Sequence, residues 1–392
     1  MSVVIPVRDR SSGLATTLAA VARSAPLDPT EVVVVDDASV DPAGTAEAAT
    51  ATGATIVGRR ARGGPAAARN TGWRTASGEI VMFVDADCVP DPEWLATLVA
   101  HFDDGSLAAV APRVPARAPE RDPAPSPLST WLDRYDQARS PLDLGTAASP
   151  VRPGSRVPYV PSAALAVRRQ ALDQVGGFDE AMIVGEDVDL IWRLVAAGWR
   201  VRYEPAARVG HPSRPAIGSW LRQRRDYGAS AAPLAARHGS LVAPVALPWP
   251  SALAWGVAVA GPPVASGVAA AGALAWSTRR LAGVASLPAG EAARVGVTGH
   301  LLAGRALAEA LRRSWWPLTL VAAALLPRRR RGRLGVALAA PLVVEWQRAG
   351  RPLRALQWCA LRVADDVSYG TGVWAGAWKA RSARALLPRL VR

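Results

Sequence analysis

Lysine is nearly absent from this sequence: of 46 basic residues only Lys379 is a lysine. The arginine and alanine richness is partly a matter of codon bias, so the net charge of +14 is weak evidence for a nucleic-acid partner. No helix-turn-helix, zinc-finger or RNP pattern accompanies it, and nucleic acid is not among the expected partners. Basic charge also suits a membrane surface or a diphosphate. Cysteine is as scarce, with Cys88 and Cys359 as the two in 392 residues, which form no disulfide framework or thiolate metal site. A reduced, cytosolic setting fits the first half. A signal peptide is missing too, because Ser2 to Val7 is at once an apolar strand, followed by Arg8, Asp9 and Arg10. The expectation is a catalytic part on the cytosolic side, whose domain either begins at this strand or has an extension upstream of this start. Half the residues are hydrophobic, which excludes general disorder, and the length suits two domains or one domain with an appendage.

What is present is organised around Ile80 to Cys88, IVMFVDADC. A β-branched and aromatic run of this kind reads as a buried parallel strand. It delivers Asp85 and Asp87 at its C-terminal end, where open α/β sheets place their ligands. An Asp-x-Asp pair there suits a hard divalent cation, Mn²⁺ or Mg²⁺, with positions left open for the phosphates of a nucleotide. Taken alone, the same pair also serves as a turn or a helix cap.

Around this strand, strands and helices alternate. Ser2 to Val7 and Glu31 to Val35 are apolar strands, the second running into Asp36 and Asp37, and Ala54 to Gly58 is a short third. Helices are expected from about Ser12 to Arg23, from Asp41 to Thr52, behind Gly63-Gly64 where Arg69 and Asn70 sit, and over 93–102. Leu107 to Pro112 and Tyr159 to Arg168 read as further strands. The alternation argues for an α/β, Rossmann-like, mostly parallel sheet with right-handed crossovers. From Arg113 to Val157 the composition turns to Pro, Arg, Asp and Ser with one helical stretch near Ser129 to Ala138, either an acceptor-shaping insertion or a linker. After Gly185-Glu186-Asp187 the pattern predicts a helix over Val188 to Ala197 and a strand over Trp199 to Tyr203. A loop holding His211 follows, then one basic helix over Ser219 to Arg237.

From Leu241 to Trp276 no charged residue occurs, well beyond the roughly 20 residues of a membrane helix. A span, or a hairpin broken near Pro262-Pro263, competes here with an Ala- and Gly-rich helical layer. Trp315 to Leu326 and Leu334 to Val344 are short for spans and flank Arg328 to Arg331, an arginine block suited to a cytosolic loop or an interfacial anchor. The expected organisation is a catalytic domain over 1–240 and an apolar, Arg-rich helical region over 241–392. That second region is placed on the cytoplasmic side of the membrane, peripheral or integral.

The pieces VVIPVRDR, VVVVDDAS, GGPAAARNTGW, FVDADC, GGFDE and GEDVDLIWRLVAAGWRVRYEP, in this order, together resemble the inverting family-2 glycosyltransferases of GT-A fold over residues 1 to about 240. RVPYVPSAALAVRR, VGEDVDLIWRL and SWLRQRRDYGASAAPLAARHG look like the mycofactocin biosynthesis group within it, whose members carry residues ahead of the first strand that are not in this sequence. The resemblance implies a divalent cation, a UDP-sugar donor such as UDP-glucose, and a peptide-derived redox cofactor as acceptor, on which a short β-glucan is built. Under it, Asp37 with Pro6 and Arg8 holds base and ribose, and Asp36 caps the loop. Asp87 binds the metal, and Asp85 binds the ribose or the metal's water shell. Arg69 and Asn70 line uridine and diphosphate, although a helix arginine is as often only solvated. Asp187 is the general base, against the plain reading of a carboxylate at a helix N-terminus, and Glu186 shapes the acceptor site. His211 is a further metal ligand or a loop histidine packed near Pro212. Arg224 or Arg225 meets the diphosphate or faces a membrane. QRRDY stands where processive synthases show Gln, two variable residues, Arg and Trp, which argues against long-chain synthesis. Two rivals remain, a membrane glycosyltransferase for a cell-envelope polysaccharide or lipid acceptor, and a non-catalytic sugar-nucleotide-binding scaffold.

Overall fold

A computed structural model describes residues 1–24, 31–118, 126–214, 216–284 and 287–391. Two units emerge, Met1–Ile217 and Gly218–Arg392, so the division falls at the start of the basic helix rather than at residue 240.

In the first unit, β1 (Ser2–Val7), β2 (Glu31–Asp36), β3 (Thr55–Gly58) and β4 (Ile80–Val84) lie side by side in the order β3-β2-β1-β4, all parallel. Helices α1 (Ser11–Ala22), α2 (Pro42–Thr50) and α3 (Pro65–Thr75) connect them. Val3, Val4, Ile5, Val33, Val34, Val35 and Val81 to Val84 are wholly buried, as strands covered on both faces must be, which is why they read as unbroken apolar runs. The chain winds from β1 outward to β3, then crosses to the other side of β1 with β4. Such a reversal opens a crevice at the strands' C-terminal ends. Here β1 leads into Arg8, Asp9 and Arg10, and β4 into Asp85, Ala86 and Asp87. Helix α1 sits tight on the second loop: a Cβ on Gly13 would lie 2.8 Å from the Ala86 carbonyl oxygen.

Next come β5 (Val89–Pro90), α4 (Trp94–Val99), β6 (Leu107–Arg113), β7 (Ala116–Arg117), α5 (Pro127–Arg139), β8 (Ser149–Pro150), β9 (Ala164–Arg168), α6 (Arg169–Val175), α7 (Glu186–Ala196) and β10 (Arg200–Pro212). The sheet continues β4-β9-β6-β10-β5. It is mostly parallel, as expected, but β9 runs antiparallel between β4 and β6. Only Ala164–Arg168 of the expected Tyr159 to Arg168 strand pairs. The stretch 113–157 contains β7, α5 and β8, with 119–125 lying outside the described residues. His211 belongs to a strand, not a loop: a register shift between Glu204 and Arg208 lets β10 pass Pro205 and pair His211 with Ala116 of β7. Helix α7 begins two residues earlier than expected because Gly185, at φ 85°, turns the chain in the left-handed region. Glu186 and Asp187 therefore lie in its first turn, while Leu190, Ile191 and Leu194 face the core.

The second unit is helical: α8 (Ile217–Ala229), α9 (Ala231–His238), α10 (Trp249–Ala260), α11 (Pro263–Val284), α12 (Ala289–Arg313), α13 (Trp316–Leu325), α14 (Arg328–Arg348) and α15 (Ala355–Lys379), with a small parallel pair of β11 (Ala246–Pro248) and β12 (Arg389–Val391). The expected basic helix is two, since Pro233 lacks the N–H needed to continue across Ser230. Helices α8 and α15 touch backbone to backbone: a Cβ on Gly372 would sit 1.9 Å from the Arg225 carbonyl oxygen. The charge-free run splits into α10 and α11 at Gly261-Pro262. Among the described residues no helix is long and apolar enough to cross a membrane; alanine and glycine make the run uncharged without making it strongly hydrophobic.

Candidate active site

Arg69 on α3 is buried, and its guanidinium donates to Asp85 Oδ1 at 2.7 Å and to Glu186 Oε1 at 2.8 Å. Phe178 lies 5.6 Å from the guanidinium and meets Phe83 edge-on at 5.2 Å, so aromatic faces fix the cation from the side. Burial opposes its charge, but Asp85, Glu186 and Asp187 outweigh burial and hold the guanidinium above its ordinary range. The solvated-arginine alternative is thereby removed. One side chain ties the end of β4 to the start of α7.

Asp187 is partly exposed beside buried Glu186. Its Oδ1 accepts from the Val188 N–H at 2.8 Å and its Oδ2 from the Ser162 N–H at 3.3 Å. Burial raises the Asp187 pKa against these N–H groups and Arg69. Burial and then the neighbouring Asp187 charge push Glu186 up to about 7, with Arg69 opposing. Adjacent carboxyls that resist double ionisation titrate as a pair. Such a pair near neutrality can take a proton from a hydroxyl.

Asp87 pairs with the Arg10 guanidinium through one oxygen, and its Oδ1 faces His211 Nε2 at 3.7 Å. The His211 Nδ1 lies 2.9 Å from the Pro212 carbonyl oxygen, a contact that needs the proton on Nδ1 and leaves Nε2 as a bare acceptor. Burial, helped by Arg214 and Arg10, outweighs Asp85 and holds the imidazole pKa below its ordinary value. Two acceptors thus aim at one gap, a fit for a divalent cation. Cys88 lies within the same cluster, but burial pushes its thiol up and the Sγ turns to the Ala163 carbonyl at 3.6 Å. A neutral thiol offers a hard cation little. Carboxylate plus imidazole suits Mn²⁺ better than Mg²⁺, which prefers oxygen ligands.

The expected donor-side residues divide. Asp36 caps its loop, accepting from the Ser39 N–H at 3.0 Å. The buried Asp37 carboxylate accepts from the N–H groups of Gly63 and Gly64 at 2.9 and 2.8 Å and pairs with Arg59 at 3.0 Å, so in this structure it anchors the Gly63-Gly64 loop instead of presenting free oxygens to a base and ribose. Asn70 is engaged likewise: its amide donates to the Phe178 carbonyl and to Glu180, each at 2.8 Å, while its oxygen accepts from the Phe178 N–H at 2.9 Å and from Trp73 at 3.0 Å. Every amide position is used, and Asn70 braces the turn that carries Phe178. Pro6 is partly exposed on β1, and Arg8 lies 3.5 Å from Asp9. Arg224 is buried inside the second unit, 3.5 Å from Asp365 and stacked on Trp220; Arg225 is exposed.

Arg10 and Ser162 were not foreseen. Arg10 stands in VVIPVRDR, but its reach to Asp87 follows only from β1 and β4 being neighbours. Ser162 acts through a backbone N–H, which any residue but proline supplies.

The Glycosyl transferase family 2 model matches residues 2–176. Pre-mycofactocin glycosyltransferases of two Mycobacterium tuberculosis strains are 38% identical over 402 residues, covering 100% of this chain and 82% of theirs. The chain belongs to glycosyl transferase family 2. This glycosyltransferase is also 29% identical to the glycosyltransferase AglE of Haloferax volcanii, over 58% of this chain and 71% of that one. A mannosyltransferase of Pyrobaculum calidifontis, solved with GDP-Man and Mn²⁺, superposes with a TM-score of 0.45 and 21% identity, over 89% of this chain and 86% of that one. Family membership carries the enzyme class and the GT-A fold, whose mostly parallel sheet is the one described above.

Proposed function

We propose that this glycosyltransferase moves glucose from UDP-glucose, with inversion and with a divalent cation, to a peptide-derived redox cofactor of the mycofactocin type, building a short β-glucan. The observation that carries the chemistry is the Arg69 bridge, which sets the carboxylates of β4 against the base candidate of α7 across one crevice. The identity to pre-mycofactocin glycosyltransferases supports the acceptor class, and the family resemblance supports UDP-glucose.

In this reading Asp187 takes the proton of an acceptor hydroxyl as its oxygen attacks the anomeric carbon. The bond from that carbon to the diphosphate breaks on the opposite face, and UDP departs. The Ser162 and Val188 N–H groups hold the Asp187 carboxylate in place, and Arg69 keeps α7 in register with β4. Asp87 and His211 would hold the cation, which when bound supplies positive charge for the leaving diphosphate.

The test is UDP release from purified protein given UDP-glucose, Mn²⁺ and the precursor cofactor, with GDP-mannose and UDP-N-acetylglucosamine as alternative donors. UDP and glycosylated cofactor are expected together. Transfer only to a lipid or polysaccharide would favour the cell-envelope reading, and donor binding without turnover would favour the scaffold.

A further inference from the structure

We infer that one face of the second unit, formed where α13, α14 and the α10–α11 turn meet, docks on an anionic lipid bilayer without crossing it. The inference rests on the second unit alone and is independent of the donor and acceptor reading. Residues 241–392 contain 20 basic and 5 acidic residues, a net charge of +15, while residues 1–240 are close to neutral. The whole positive excess of the chain lies in this part.

Arginines and aliphatic side chains share one surface there. Arg328, Arg329, Arg330, Arg331 and Arg333 are all exposed. Arg331 donates to the carbonyls of Leu326 and Ala324, both at 2.7 Å, closing the C-terminal end of α13, and Arg333 donates to the Gly261 carbonyl in the α10–α11 turn at 2.8 Å. These bonds bring the three helix ends together. Among the described residues, no hydrogen bond or ion pair engages the guanidinium of Arg328, Arg329 or Arg330. On the same helices Leu325 is 81% exposed, Val264 79%, and Val268 and Val336 68% each. Along α13 Leu318, Leu320, Val321 and Leu325 are all more than half exposed, so this short helix leaves most of its aliphatic surface uncovered.

A nucleic acid would satisfy the arginines and leave the aliphatic side chains against water. A second copy of the chain would bring like charge against like charge. Anionic headgroups over an acyl boundary match both halves of the surface. Helix α13 has 10 residues, about 15 Å, half the bilayer's hydrocarbon core of about 30 Å. It therefore lies within the interface.

The experiment is co-sedimentation of the full chain with vesicles of phosphatidylglycerol and phosphatidylcholine, and with phosphatidylcholine alone. Binding is expected to the anionic vesicles only and to weaken with added salt. The triple variant Arg328→Glu, Arg329→Glu, Arg330→Glu should bind at least about 100-fold more weakly. The pair Leu325→Asp and Val264→Asp should weaken binding separately, at wild-type net-charge difference of only two. Both variants should keep their circular dichroism and their turnover on a soluble acceptor. Equal binding to both vesicle types, or variants that bind like wild type, would overturn the inference. So would self-association that the same variants abolish, which assigns the face to a second copy, or duplex DNA binding that they abolish while vesicle binding persists.

Discussion

Arg69 and Glu186 stand 117 residues apart in the chain and are joined by a buried hydrogen bond of 2.8 Å. The same guanidinium holds Asp85, so its removal strands two carboxylates at once. Arg69→Met is expected to cost about 3–5 kcal/mol, as for a buried pair broken from one side. Adding Glu186→Gln should restore part of that loss by removing one stranded charge. Urea unfolding of the three proteins measures it, and a midpoint unchanged in Arg69→Met would mean that the bridge contributes little.

Asp187→Asn keeps the shape of the first turn of α7 and removes the base. Turnover should fall on the order of 10²-fold or more, with donor affinity nearly unchanged, because the lost interaction belongs to the transition state. Isothermal titration with UDP-glucose, run beside the rate assay, separates the two effects. Full turnover would remove Asp187 from the mechanism.

The pH dependence of stability and that of activity run in opposite directions. Burial and the charge of Asp187 raise Glu186 from its ordinary 4.5 to about 7, and burial raises Asp187 too. The folded protein therefore holds a proton that the unfolded chain has released. The stability this adds is full below the ordinary carboxylate range and is lost as pH rises through about 7. Proton abstraction needs the bare Asp187 carboxylate, so kcat/KM should rise with pH on a limb that burial has moved above the ordinary aspartate range. In Glu186→Gln the fall in stability near about 7 should disappear, because the group that carries it is gone, while the kcat/KM limb should remain, because it belongs to Asp187. Loss of the limb together with the stability change would assign it to Glu186.

The features legible in the sequence are local ones. Apolar runs ending in Asp36 and in Asp85 and Asp87 announce strands that stop at one edge of the sheet, and Gly185-Glu186-Asp187 announces a helix, though not that Glu186 and Asp187 belong to its first turn. What stayed hidden depends on contacts between distant segments. Nothing in VVIPVRDR says that Arg10 reaches Asp87, and nothing near Arg69 says that its partners come from β4 and α7. Asn70 is a donor-side residue by the family resemblance; its engagement with the Phe178 turn, 108 residues away, is nowhere written in the local sequence. His211 reads as a loop residue because Pro205 looks like the end of a strand, whereas the register shift carries the strand past it. The boundary at residue 240 followed a change in composition, while the helices pack as a unit from Gly218 onward.

Arg10 lies against Asp87 on the side where a cation would be held, and His211 Nε2 faces the other oxygen at 3.7 Å. Arg10 engages Oδ2 and leaves Oδ1 and His211 Nε2 for an ion, but its positive charge beside Asp87 opposes a cation there. Arg10→Ala should therefore bind Mn²⁺ more tightly in the absence of donor, by up to about fivefold for an ion pair that is partly exposed. The same variant should bind UDP-glucose less well, since it lacks a positive charge beside the proposed diphosphate site. His211→Ala should raise the Mn²⁺ concentration for half-saturation, and Asp87→Ala should abolish specific binding, because an imidazole alone is a poor site for this ion. Titrating free Mn²⁺ by electron paramagnetic resonance reads all three without turnover. Weaker Mn²⁺ binding in Arg10→Ala would make Arg10 a residue that positions Asp87 for the ion instead of one that competes with it.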